Sequence, residues 1–201
     1  MNLTPEQLDA LREMINIGVG RAARAIAELS DREVVLHVRE IKVLDLTSAG
    51  QLAELGGPFN LRVSQRFSGG IEGCGSFVLD RSGAVRLVQL LLGKADHDIA
   101  FDELDQGTLL ELGNVVVGSA VGMLAAELHV EVRYELPQLQ LRGLEEGAEL
   151  FADIAPADSA PALIMRASLR LRGVRVNGHL TLFFSGAGLE ALTTRLARLA
   201  P

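Results

Sequence analysis

The chain nearly repeats itself, and that constrains its fold more than any other feature. Residues 13–20 read EMINIGVG and residues 111–118 read ELGNVVVG, so Glu13, Asn16 and Gly20 recur 98 positions on as Glu111, Asn114 and Gly118. A second match follows in the same order. Gly70-Ile71 through Gly75, then Ser82-Gly83, resembles Gly173-Val174 through Gly178, then Ser185-Gly186, now 103 positions apart. Two ordered matches indicate an internal duplication with a few residues inserted between helix and hairpin. Two copies of about 100 residues are too few and too long for a solenoid. The expected organisation is one domain over 1–201, with repeats at about 4–95 and 102–199 related by a pseudo-two-fold.

Each repeat reads as helix, extended strand, short helical segment, hairpin, helix. Thr4 suits a helix N-cap, Pro5 the first helical position, and Gln7 completes a capping box. The helical pattern runs to about Leu29, and residues 33–45 are rich in Val, Leu and Ile, as a strand requires. Leu61 to Phe67 and Gly75 to Leu79 flank a glycine-rich turn, and Ser82 to Leu92 reads as a helix closed by Gly93. Asp102 is placed to cap a second long helix reaching about Leu128. A strand over Val130 to Leu141, a short helix within 142–152, a hairpin from Ala162 to Phe184 and a helix from Leu189 to Leu199 complete the second half. The fold class expected is α/β (α+β), two long helices packed on a central, mainly antiparallel sheet.

At 100° per residue, Leu8, Leu11, Ile15, Val19, Ala22 and Ile26 form one apolar stripe, with Asp9, Glu13, Asn16 and Gly20 well round the helix from it. In the second helix Leu109, Leu112, Val116, Ala120 and Met123 form the stripe, and Glu111, Asn114 and Gly118 lie nearly opposite. Both Glu/Asn pairs should therefore face solvent. A single such pair is ordinarily just a solvated face. Two pairs at one spacing, each with a glycine one turn beyond, say more. Glycine inside a helix costs about 1 kcal/mol relative to Ala, a cost that makes sense where another surface must come close.

The segments DALREMINIGVGRAARAIAEL and GTLLELGNVVVGSAVGMLAAEL resemble the two signature helices of CheC-type chemotaxis phosphatases, whose pattern is Asp or Ser, three residues, Glu, two residues, Asn. Asp9, Glu13 and Asn16 match it in full. Glu111 and Asn114 match, with Gly107 where the pattern has Asp or Ser. The resemblance implies hydrolysis of the aspartyl phosphate of a CheY-like receiver. Asn16 and Asn114 would insert into the receiver site and orient the attacking water, since an amide can both donate and accept. Glu13 and Glu111 would pair with the receiver's active-site Lys, with Asp9, Gly20 and Gly118 in support. The phosphatase would need no cofactor of its own, because the receiver brings Mg²⁺ and its Lys.

The rival reading within the same resemblance is a non-catalytic receiver-binding or flagellar-switch module; a CheD-type deamidase is a further partner the family binds. The presence of both asparagines favours catalysis, and two motifs in one chain favour a monomer over the related dimers that carry one motif each. Other classes fit less well. The net charge of −7 argues against nucleic acid, and aromatics at 4% with no Trp supply no base-stacking platform. No apolar run approaches the ~20 residues of a membrane span. Met1 to Thr4 lack the basic and apolar regions of a secretory signal, and the single Cys74 fits a reducing compartment, so a cytoplasmic protein is expected. Gly18 to Ala23 spells GxGxxA, but without the preceding strand that a dinucleotide fingerprint needs. The four histidines show no metal-ligand spacing.

Overall fold

In the computed structural model, which describes residues 3–30, 34–45, 61–94, 101–141, 161–171, 176 and 178–199, helix α1 (Pro5–Ser30) begins at the expected cap. Gln7 N–H donates to the Thr4 hydroxyl at 3.2 Å and Thr4 N–H donates to the Gln7 side-chain oxygen at 2.9 Å, a reciprocal capping box. Strands β1 (Val34–Asp45), β2 (Leu61–Gly69) and β3 (Gly73–Leu79) follow, then helix α2 (Arg81–Leu92). Asp80 caps α2 by accepting from Gly83 N–H, and Gly93 closes it at φ +66°, the left-handed conformation a helix stop favours. Helix α3 (Glu103–Glu127) is capped by Asp102, whose carboxylate accepts from Asp105 N–H at 2.9 Å. Strands β4 (Val132–Tyr134), β5 (Gln138–Leu141), β6 (Pro161–Leu171) and β7 (Gly178–Phe184) lead to helix α4 (Gly186–Leu199). Helix α4 starts three residues earlier than its apolar pattern implies, because the Ser185 hydroxyl accepts from Gly188 N–H and caps it.

The described strands make one sheet in which every pairing is antiparallel, in the order β1-β6-β7-β3-β2, with β4 and β5 both on the outer edge of β2. The α+β class and the mainly antiparallel sheet are as expected. The first strand of each half lies beside the hairpin of the other half, and the two hairpins meet through β3 and β7, from Gly73 opposite Phe184 to Leu79 opposite Gly178. Neither half can complete the sheet alone.

The strand expected over Val130 to Leu141 is interrupted. Phe67 pairs with Tyr134 while Ser64 pairs with Gln138, so three steps along β2 face four along its partner. Residues 135–137 therefore hold one extra residue, a bulge, and Pro137 has no N–H to keep the ladder regular there. A matching register shift occurs in β1 between Val38 and Glu40. The short helical segments expected after the first strand of each half, including 142–152, lie outside the described residues.

The long helices lie side by side over the sheet, α3 resting on β2 and β3. An added methyl at Gly18 of α1 would fall 2.7 Å from Ser119 O and 2.9 Å from the Cα of Ala120, so these backbones touch. Leu11, Ile15, Val19, Ala22 and Ile26 of α1 are buried, as are Leu109, Leu112, Val116, Ala120 and Met123 of α3. By length and composition α3 could cross a membrane. Its apolarity has a simpler origin here: one side meets α1, another meets the sheet, and only a narrow strip is left to solvent. Below it, Phe67 and Phe184 meet edge to face with centroids 5.7 Å apart. Cys74 is buried on β3.

Candidate functional site

The remaining strip of each long helix carries the motif. On α1, Asp9, Glu13 and Gly20 are exposed and Asn16 is half-buried; on α3, Glu111 is exposed and Asn114 is half-buried. The glutamates thus face solvent as expected, but the asparagines do so only in part. Three residues along a helix is a rotation of about 60° back toward the neighbouring face. In α3 that neighbouring face is the one over β2, and there Asn114 Oδ1 accepts from Gln65 Nε2 at 2.9 Å.

The two motifs differ in their surroundings. Asp9 forms an ion pair with Arg12 at 3.0 Å; its carboxylate is 77% exposed, and pairs of this kind contribute little to stability. At the equivalent place in α3, Gly107 is exposed with open space where a side chain would be. Beyond Asn16 lies a cleft of about 570 Å³ lined by Ile17, Gly20, Arg21, Arg24, Ala25 and Glu28. Beside Glu111 lies a cleft of about 400 Å³ lined mainly by apolar groups, among them Ile26, Leu91, Leu104 and Val115. The first setting is cationic, the second apolar and, through Glu103 and Glu111, acidic.

Gly20 and Gly118 stand in open space, with nothing within 4 Å of an added Cβ. Helix packing explains Gly18, and Gly113 lies against Val63, but nothing inside the described fold requires Gly20 or Gly118. The helix cost of those two residues has no internal counterpart. Among the described residues, no group of three His, Cys, Asp or Glu side chains comes together as a metal site would require.

Sequence reasoning missed two neighbours of the second motif. Gln65 is 4% exposed, and its Nε2 donates both to Asn114 Oδ1 and, at 3.0 Å, to the backbone oxygen of Glu135. A signal existed: in β2 the alternation Leu61, Val63, Gln65, Phe67 puts one polar residue in an otherwise apolar register. Tyr134 donates to Gly118 O at 3.4 Å, and burial pushes its hydroxyl pKa up. That contact depends on the pairing of β4 with β2, which spacing alone does not reveal.

No family model matches the sequence. The chain is 31% identical over 142 residues to the CheY-P phosphatase CheC of Bacillus subtilis, a match covering 68% of this chain and 66% of that protein, just under two thirds of its length. The crystal structure of Thermotoga maritima FliY is similar at a TM-score of 0.80 and 18% identity, over 98% of this chain and 99% of that one. FliM of Helicobacter pylori, solved in complex with SpeE, is similar at 0.71 and 12% identity, over 98% and 97% of the two chains. At those identities the two structural likenesses speak to fold alone.

Proposed function

The chain belongs to the CheC/CheX/FliY family, and from that premise we propose that it is a cytoplasmic phosphatase acting on the aspartyl phosphate of a CheY-like receiver. The observation that carries this reading is the pair of helix faces, each presenting a Glu and, three residues on, an Asn beside a glycine that the described fold does not need. An aspartyl phosphate is already activated, so what an added protein can contribute is position. The receiver supplies Mg²⁺, which neutralises charge on the phosphoryl oxygens. Asn16 or Asn114 holds a water in line with the phosphorus. The water oxygen bonds to phosphorus as the bond to the aspartyl oxygen breaks, which leaves the receiver's carboxylate and inorganic phosphate. Glu13 and Glu111 pair with the receiver's Lys and set the depth to which each helix enters. Because each chain carries two such faces, a monomer suffices, and a CheD-type partner could bind elsewhere without competing.

The rival reading is a switch module of this same fold, which FliM shares, that binds a receiver without consuming its phosphate. The two readings separate on turnover. With this protein at a hundredth of the concentration of a phosphorylated chemotaxis receiver, the phosphatase reading expects several receivers to be emptied per copy. The rival expects binding at stoichiometric concentration and a decay rate unchanged from the receiver alone.

A further inference from the structure

We propose that Gln65 is a positioning residue for the second motif, which fixes the orientation of the Asn114 amide through a relay that starts at the Glu135 carbonyl. The proposal rests on the phosphatase reading and deepens it. An Asn or Gln side chain can be turned over with almost no change in shape, so its orientation has to come from its partners. Here the first partner is unambiguous. The Glu135 backbone oxygen can only accept, so the end of Gln65 that faces it at 3.0 Å must be the NH₂ group. The same Nε2 has one further hydrogen, and it points to Asn114 at 2.9 Å. The atom receiving it must be Oδ1, which turns Asn114 Nδ2 away from the sheet and toward the surface a receiver would meet. Asn114 thus meets the substrate donor first, while the remaining lone pair of Oδ1 stays available to a water.

Two further observations fit a relay better than ordinary core packing. Gln65 Oε1 is buried without a hydrogen-bond partner among the described residues, an arrangement that costs stability and that an apolar side chain of the same size would avoid. The carbonyl that starts the relay lies in the bulge at 135–137, where the chain departs from regular pairing; bulges re-aim groups in this way. Glu135 N–H still donates to Arg66 O at 3.0 Å, so the peptide is held from both sides.

The test is Gln65→Met in an Asn16→Ala background, so that only the second motif works. Met keeps the length and volume of Gln and loses both donors. Loss of one orienting hydrogen bond should lower kcat by roughly 3- to 10-fold. KM for the phosphorylated receiver should stay within about twofold, because Glu111 is untouched. In an Asn114→Ala background the same change should leave kcat as it was. Gln65→Leu, which also lacks the donors, should repeat the pattern if Met disturbs the melting temperature. Unchanged kcat in the Asn16→Ala background would overturn the proposal, as would an equal fall in both backgrounds. Complete loss of turnover in Asn16→Ala alone would overturn it too, since the second motif would then serve no reaction. Failure of the phosphatase reading would appear separately, as wild-type protein that does not speed decay at all.

Discussion

Replacing Gly20 and Gly118 by alanine should make the protein more stable and a worse phosphatase. Both glycines lie in helix interiors, and an added Cβ at either would meet nothing within 4 Å. Alanine there gains the helix propensity that glycine forgoes, about 0.5–1 kcal/mol per site. For a chain of this length 1 kcal/mol moves the melting temperature by roughly 2–4 °C, so the double variant should melt about 2–8 °C higher. Gly18 and Gly113 provide the opposite control. A methyl at Gly18 meets backbone of α3 at 2.7 and 2.9 Å, and one at Gly113 would overlap Val63 Cγ1. Overpacking of that kind costs roughly 1–3 kcal/mol, so both controls should melt lower. In the decay assay, methyls on the docking strip should raise KM for the phosphorylated receiver several-fold. A lower melting temperature for Gly20→Ala or Gly118→Ala would refute the packing argument. A higher one with unchanged KM would refute the idea that the glycines admit a second surface.

Asn114→Ala should leave the melting temperature within about 4 °C of wild type, because Gln65 Nε2 keeps its bond to Glu135 O and one neutral hydrogen bond contributes about 1 kcal/mol; thermal melts followed by circular dichroism measure this. Asp80→Ala should destabilise by about 1 kcal/mol through loss of the α2 cap, with activity retained, since Asp80 belongs to neither motif. Asp102 and Lys94 should shape stability at opposite ends of the pH scale. The Asp105 N–H and then the Lys94 ammonium hold the Asp102 carboxyl below its ordinary 3.8, so its contribution is present above that pH and is lost as acid protonates it. The bond to Asp105 holds the Lys94 ammonium above its ordinary 10.5, so that contribution is present below 10.5 and fades in stronger alkali. Urea midpoints against pH should fall at both ends, and Lys94→Met should flatten the alkaline fall.

What was legible in the sequence was local. The capping box of Thr4 and Gln7, the Asp102 cap and the stop at Gly93 each depend on residues within a turn of one another. The apolar stripes of α1 and α3 were equally readable, because the helical period fixes which residues share a face. Strand order was not, since pairing β1 with β6 joins residues more than a hundred positions apart, and no local preference encodes that. The site divides along the same line. Spacing marked Glu13, Asn16, Glu111 and Asn114 as candidates, but it overstated the exposure of the asparagines; for Asn114 the reason is the approach of β2 to α3, a tertiary fact. Gln65 left only a faint mark, a polar residue in an apolar register, and its meaning depends on a bulge in a strand seventy residues away.

The central claim is that Asn16 and Asn114 perform the chemistry while Glu13 and Glu111 hold the receiver. The decay of a phosphorylated chemotaxis receiver, measured with the Asn16→Ala/Asn114→Ala protein beside wild type, tests it most directly when binding is measured in the same samples. The account predicts that the double variant melts near wild type, still binds the phosphorylated receiver, and leaves its decay at the rate of the receiver alone. A double variant that speeds decay as well as wild type does would contradict it.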